Sequence, residues 1–228
     1  TANRKPKTRG IIVAIDGPAG AGKSTVSIAL AKKLGFLYVD TGAMYRALTL
    51  KALKKKLNLR DEGKLVNLAK KIDMKLTTDS DDRLHVYLDG EDVSKAIRKP
   101  SVTNNVHYIA DVANVRKEMV KLQRKTAKRG KAVLEGRDIG TVVFPDADYK
   151  FYIDADIKER VHRRHEELAQ KGIALALDEV QKDVQVRDDK DRTRKVGTLK
   201  LAENSIYVDT TKLSVDEVVK KLIAYIKK

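Results

Sequence analysis

The chain has 228 residues, enough for one α/β domain with a sizeable core and small insertions. It has no cysteine, which excludes a disulfide framework and a thiolate metal centre, and no apolar run approaches membrane-spanning length. Forty-eight Lys and Arg against 32 Asp and Glu give a formal charge of +16, which fits either an enzyme that holds polyphosphates or a protein that binds nucleic acid.

Residues 1–10 (TANRKPKTRG) read as a basic N-terminal tail with no hydrophobic signal segment behind it, so a soluble, cytoplasmic protein is expected. Ile11–Ile15 (IIVAI) is a continuous apolar run, the pattern of a strand buried on both faces of a parallel sheet. Gly17, Pro18, Ala19, Gly20, Ala21, Gly22, Lys23, Ser24 and Thr25 follow it and spell GPAGAGKST. The pattern G-x-x-x-x-G-K-[ST], set between a strand-like and a helix-like segment, predicts a phosphate-binding loop. Its glycines let successive N–H groups converge on phosphate oxygens. Lys23 supplies a cation for the β- and γ-phosphates, and the Ser24 hydroxyl is a candidate Mg²⁺ ligand. Ser24–Leu34 has helical periodicity, adds its positive end to the same pocket, and is terminated by Gly35.

Phe36–Val39 reads as a second strand, Asp40-Thr41-Gly42 as a turn, and Ala43 to about Leu57 as a helix. This βαβ opening implies a right-handed crossover and a three-layer sandwich. A short helix near Glu62–Lys71 precedes an antiparallel insert over Ile72–Val93, where Asp89-Gly90 is a hairpin signal. Val102–Lys128 reads as one long helix with a break near Val112–Val115. Lys131–Leu134 returns to core strand and ends at Glu135-Gly136-Arg137-Asp138. Tyr149–Ile153 is a further strand, and Ile157–Gln170 a charged helix capped by Asp156. Leu177–Arg194 is a second charged helix and Ile206–Val208 the last core strand. Ser214-Val215-Asp216-Glu217 fits a capping box for a C-terminal helix to Ile226. With no internal repeat, residues 11–228 read as a single P-loop domain.

Arginine and aspartate combine in three places: Asp40–Arg46, Glu135–Asp138 and Arg187–Arg194. In an open parallel sheet the carboxyl ends of the strands form the ligand crevice, so the first two clusters are expected to face the phosphate loop's cavity. Arginine's planar fork matches phosphate and keeps its charge. If the acceptor is a phosphate monoester, it is already ionised near neutral pH and needs no general base. Each cluster also has a plainer reading: a helix cap with a surface arginine, a turn with an internal salt bridge, and a solvated charged face. His162 and His165 lie three apart on a helix beside Arg160, Arg163 and Arg164, whose charges disfavour a metal. Aromatics are few at 5%, and the lysines are scattered, which argues against specific nucleic-acid binding while leaving weak, salt-sensitive contact with RNA. A kinase for another acceptor, with Asp138 as base, and an RNA-binding switch both remain open at this point.

The segments IDGPAGAGKST, YVDTGAMYRAL, the insert ending in LDGEDV, GRDIGTVVFPDAD, ERVHRR and RDDKDRTR resemble the long-form bacterial cytidylate kinases, within the nucleoside monophosphate kinases. GRDIGTVVFPDAD and DTGAMYRAL are far more specific than the phosphate loop. The resemblance covers nearly all of the chain from Ile11 onward. It implies an α/β P-loop sandwich with a parallel core sheet, an antiparallel insert on the monophosphate side at about 62–100, and a helical lid at about 170–203. It implies phosphoryl transfer from Mg²⁺–ATP to CMP or dCMP, by a monomer with no membrane and no specific nucleic-acid partner. Carried over by position, Thr41, Tyr45, Arg46, His107, Arg116, Arg137, Asp138, Arg187 and Asp191 would contact CMP. Arg160 and Arg164 would flank ATP beside the phosphate loop. Lys23, Arg137, Arg187 and Arg194 would neutralise the transferring group. The chain departs from the family pattern at three points. His107 replaces a small hydroxyl residue. Glu135 replaces an aspartate before Gly-Arg-Asp and is a candidate for an outer contact to Mg²⁺. Val196-Gly197-Thr198-Leu199 replaces a proline after the lid arginines, which predicts a looser hinge.

Overall fold

A computed structural model describes residues 10–81, 83–128, 130–170 and 172–226; most of the basic tail lies outside the described residues. The apolar run after Gly10 is β1 (Ile12–Asp16), every residue of which is buried. In chain order α1 (Lys23–Leu34), β2 (Leu37–Asp40), α2 (Thr41–Lys54) and α3 (Glu62–Lys70) follow. β3 (Met74–Thr78), β4 (Leu84–Leu88) and β5 (Glu91–Asp92) form an antiparallel sheet in that order. Next come α4 (Pro100–Thr103), α5 (Val106–Ala110), α6 (Ala113–Ala127) and β6 (Ala132–Gly136). A wide helical turn of the π type (Ile139–Val143) leads to β7 (Tyr149–Asp154). The chain closes with α7 (Ile157–Gln170), α8 (Leu177–Thr193), β8 (Ile206–Asp209) and α9 (Val215–Ile226). The core sheet is parallel, with strand order β2-β6-β1-β7-β8. β1, which feeds the phosphate loop, is central, as a doubly wound sheet requires of the strand at its switch point.

Contacts within the chain cluster into two units. The first holds Ala31–Leu134 with the start of β1. Asp40 caps α2 by accepting the Ala43 amide at 2.8 Å, so the expected turn at 40–42 is instead strand end, cap and first helical turn. Asp61 caps α3 through the Lys64 amide at 3.0 Å. The antiparallel sheet has the predicted alternation, pairing buried Met74 with Leu88 and Leu76 with Val86. Asp89 (φ 52°) and Gly90 (φ 85°) turn β4 into β5, the doubly left-handed backbone of a two-residue hairpin. The long helix expected over 102–128 is three. Pro100 starts α4 at its first position, and the chain breaks again at Asp111-Val112 before α6. α6 buries Val115, Met119, Gln123 and Ala127, a stripe spaced by four that fixes its inner face.

The second unit holds Ala14–Leu30 and the chain from Glu135. α7 and α8 pack through Val161, Leu168, Val180 and Val184. Lys158's amide bonds Asp156 at 2.8 Å, the expected cap. Ser214 and Glu217 form the expected capping box, the Ser214 amide donating to Glu217 at 2.8 Å. The segment after α8 makes bonds back to that helix. The Thr198 hydroxyl donates to the Arg194 carbonyl at 2.6 Å, the Leu199 amide donates to the Asp191 carbonyl at 2.8 Å, and Leu199 is buried.

Candidate active site

Gly17 opens the phosphate loop where a side chain cannot go: with φ +151°, a Cβ would lie 1.9 Å from the Ile153 carbonyl oxygen. The loop's carbonyls are then held one after another. Lys23 Nζ donates to the Pro18 oxygen at 2.5 Å, and Arg160 Nη1 to the Ala19 oxygen at 3.1 Å. The single Thr210 hydroxyl proton is shared between the Asp154 oxygen at 3.0 Å and the Ala21 oxygen at 3.3 Å. A peptide unit is planar, so fixing each carbonyl also fixes the direction of the next N–H, the group that must meet a phosphate oxygen. Arg163 steadies Thr210 in turn, donating to its carbonyl at 2.8 Å and to its hydroxyl at 3.2 Å.

Lys23 is itself buried at the start of α1. Burial and the nearby Arg137 charge push its pKa down, against the pull of Glu135, Asp191 and Asp16. The Ser24 hydroxyl donates to Glu135 Oε2 at 3.0 Å, linking α1 to the end of β6. Arg137 Nε bonds Asp191 Oδ2 at 2.6 Å, and Arg194 Nη2 bonds Asp191 Oδ1 at 2.9 Å. One carboxylate thus aligns two guanidinium groups. Burial alone would raise the Asp191 pKa, but Arg137 and Arg194 outweigh it and hold the group below the usual carboxylate range.

Arg160 lies against the phosphate loop, on the Ala19 carbonyl. It is buried, with Nη1 on Asp188 Oδ2 at 2.5 Å and Nε on the Ala155 carbonyl at 3.1 Å, so it ties the phosphate loop to α8. Arg164 pairs with Glu167 at 2.8 Å, and Arg187 with Asp183 at 3.0 Å on the same helix. Asp16, at the end of β1, accepts the Ile139 amide at 2.8 Å and the Gly140 amide at 2.7 Å, and its burial raises its pKa to about 6. Asp138 is buried immediately before that turn.

The first unit carries its own cluster. Arg46 Nη2 pairs with Asp40 at 2.9 Å, so the cap and the arginine are one device rather than alternatives. Thr41 and Tyr45 are buried on α2. The guanidinium of buried Arg116 lies 5.3 Å from the centroid of the Tyr45 ring and donates to the Ala110 carbonyl at 3.0 Å. His107, on α5, lies with its ring centroid 4.1 Å from that of Tyr108. Among the described residues no group of three or more His, Asp or Glu has metal-holding geometry. His162 lies 3.2 Å from Glu166, and His165 Nε2 lies 3.1 Å from the Leu175 carbonyl.

A family model described as Cytidylate kinase matches residues 13–228. The chain belongs to the cytidylate kinase family. Curated cytidylate kinases that it resembles include those of Caldanaerobacter subterraneus (49% identical; 95% of this chain and 94% of that protein) and Pelotomaculum thermopropionicum (48%; 93% and 94%). That of Bacillus cereus is 44% identical over 95% of this chain and 96% of its own. A solved structure of an uncharacterized protein from Eubacterium ventriosum shares the fold, with a TM-score of 0.53, 14% identity, and coverage of 96% of this chain and 99% of that one. The phosphate loop and the arginine clusters, Arg187–Arg194 with its Asp188 included, were readable in the sequence, whereas Asp16 and Thr210 were not singled out. Asp16 directly precedes the GPAGAGKST pattern, and Thr210 follows a strand end, which were the available signals.

Proposed function

We propose that the chain transfers the γ-phosphate of ATP to CMP and dCMP, forming ADP and CDP or dCDP, as a cytoplasmic monomer. The observation that carries this is the Asp191 carboxylate holding Arg137 and Arg194 together in the unit that contains buried Lys23. Two guanidinium groups are thereby pre-positioned, and Lys23 is held separately on the Pro18 carbonyl, which is what transfer to an ionised acceptor demands. An oxygen of the CMP phosphate attacks the γ-phosphorus in line. The new O–P bond forms as the bond to the bridging oxygen of ADP breaks, and Lys23, Arg137, Arg187 and Arg194 offset the spreading charge. Thr41, Tyr45, Arg46, His107, Arg116, Asp138 and Asp191 hold the acceptor. The phosphate loop and Arg164 hold the donor, with Arg160 acting through the loop. The insert at about 62–100 serves the monophosphate side, and the segment at about 170–203 serves as lid.

The Ser24 hydroxyl, in reach of Glu135, is a hard-oxygen donor set that suits Mg²⁺ completed by phosphate oxygens and water. Ser24 would hold the ion and Glu135 would orient Ser24 and a bound water. When bound, Mg²⁺ supplies charge neutralisation on the β- and γ-phosphate oxygens.

The test is ADP formation from Mg²⁺–ATP with CMP, dCMP, UMP and AMP offered separately. Fast turnover confined to CMP and dCMP is expected. Equal use of UMP would move base selection away from Asp138 and His107, and absence of monophosphate-dependent turnover would end the kinase reading.

A further inference from the structure

We propose that Asp16 is a positioning residue of the reaction: by capping the turn that begins at Ile139, it holds Asp138 in place for the acceptor nucleotide. The inference rests on the assignment of Asp138 to the CMP side.

The turn Ile139–Val143 begins with amides that need acceptors. Its later amides fold back on the Asp138 carbonyl, Val142 at 2.9 Å and Val143 at 3.1 Å. An aspartate in the position before a helical turn ordinarily accepts the first amides with its own side chain. Asp138 occupies that position, at φ −142° and ψ 27°, and its side chain makes no capping bond. Those amides belong instead to Asp16, 123 positions before Ile139, with one carboxylate oxygen for each. The local cap is therefore provided from another strand, and the Asp138 carboxylate is not drawn back into its own backbone. The Asp138 main chain is meanwhile fixed from both sides, through its carbonyl and through the amides that follow it.

The site also demands an acid. Asparagine offers one acceptor oxygen and would turn an NH₂ donor toward the second amide. There is little room for the turn to slide away, since a Cβ on Gly140 would lie 3.2 Å from Ala202 Cβ and 3.4 Å from Asp16 Oδ2.

The experiment is a kinetic cycle of Asp16→Asn, Asp138→Asn and the double variant, with CMP varied at saturating ATP and melting temperature recorded for each. Asp16→Asn is expected to lower kcat/KM for CMP roughly tenfold, the scale of one charge-assisted hydrogen bond, with KM for ATP within about twofold. In the Asp138→Asn background the same change is expected to cost about twofold or less, because both act through one carboxylate. Additive losses overturn the inference, as does a fall in melting temperature without loss of kcat/KM. If Asp138→Asn alone leaves kcat/KM for CMP unchanged, the acceptor assignment falls first and this inference falls with it. Should Asp16→Asn not fold, Gly140→Ala disturbs the same contact from the other side and enters the same cycle with the same expectations.

Discussion

Burial and the neighbouring Arg137 charge press the Lys23 pKa down to about 7, so its charged form gains from a further negative neighbour. A triphosphate would bring the negative oxygens that raise that pKa again. Lys23→Met is expected to cut turnover by about 10³-fold or more, the scale of a lost oxyanion partner, with no loss of melting temperature because a buried charge is removed. Thr210→Val keeps the branched shape and deletes the hydroxyl that reaches the Ala21 and Asp154 carbonyls. It is expected to raise KM for ATP about fivefold while leaving KM for CMP within about twofold, as steady-state kinetics would show. The phosphate loop was legible because its chemistry is written in nine adjacent residues. Thr210 and Asp16 were not, because each acts on a partner well over a hundred positions away, and a lone aspartate or threonine at a strand end carries no local pattern that names that partner.

The small antiparallel sheet is expected to have its own pH response. His85 on β4 is clasped between Asp92 at 2.7 Å and Asp79 at 3.0 Å, with the Tyr87 ring 6.3 Å away. Bonds to Asp92 and then Asp79 raise the His85 pKa above 6.5, whereas bonds from Ser94 and then His85 lower that of Asp92 to about 2. The raised histidine stabilises the sheet fully below 6.5 and loses that contribution as pH climbs through its folded value. The lowered aspartate contributes above 3.8 and loses it as pH falls through about 2. The clasp is therefore tightest between those limits. Amide exchange in β3 and β4, corrected for intrinsic rates, is expected to quicken from about pH 6 to about pH 8, and His85→Gln to abolish that dependence. The hairpin itself was readable from Asp89-Gly90, because a doubly left-handed turn needs such residues. The division of 102–128 was read only in part. The break before α6 was expected, but helical spacing runs through Asn104-Asn105 without a Gly or Pro to mark the earlier one.

At the scale of the whole molecule, +16 charges on 228 residues attract any polyanion. Retention on homopolymer RNA at low ionic strength is expected to disappear by about 0.2 M salt, the behaviour of counterion release without base contacts. Retention that survives at that ionic strength would reveal a dedicated nucleic-acid surface. The residues proposed for the site are divided between the two units: Thr41, Tyr45, Arg46, His107 and Arg116 belong to one, and the phosphate loop, Glu135, Arg137, Asp138, Asp191 and Arg194 to the other. This division follows spatial contacts, so no boundary in the linear chain announces it. The bracing of the phosphate loop has a consequence for synthesis. Arg160 and Thr210, which hold carbonyls of the loop, are translated 141 residues after Ala19 and 189 residues after Ala21. At roughly 5–20 residues per second, the nascent chain carries an unsupported loop for on the order of ten seconds or more. A ribosome stalled before β8 is therefore expected to display a chain that has the whole GPAGAGKST signature and a weaker grip on ATP than the finished protein, as nucleotide binding to stalled nascent chains would show.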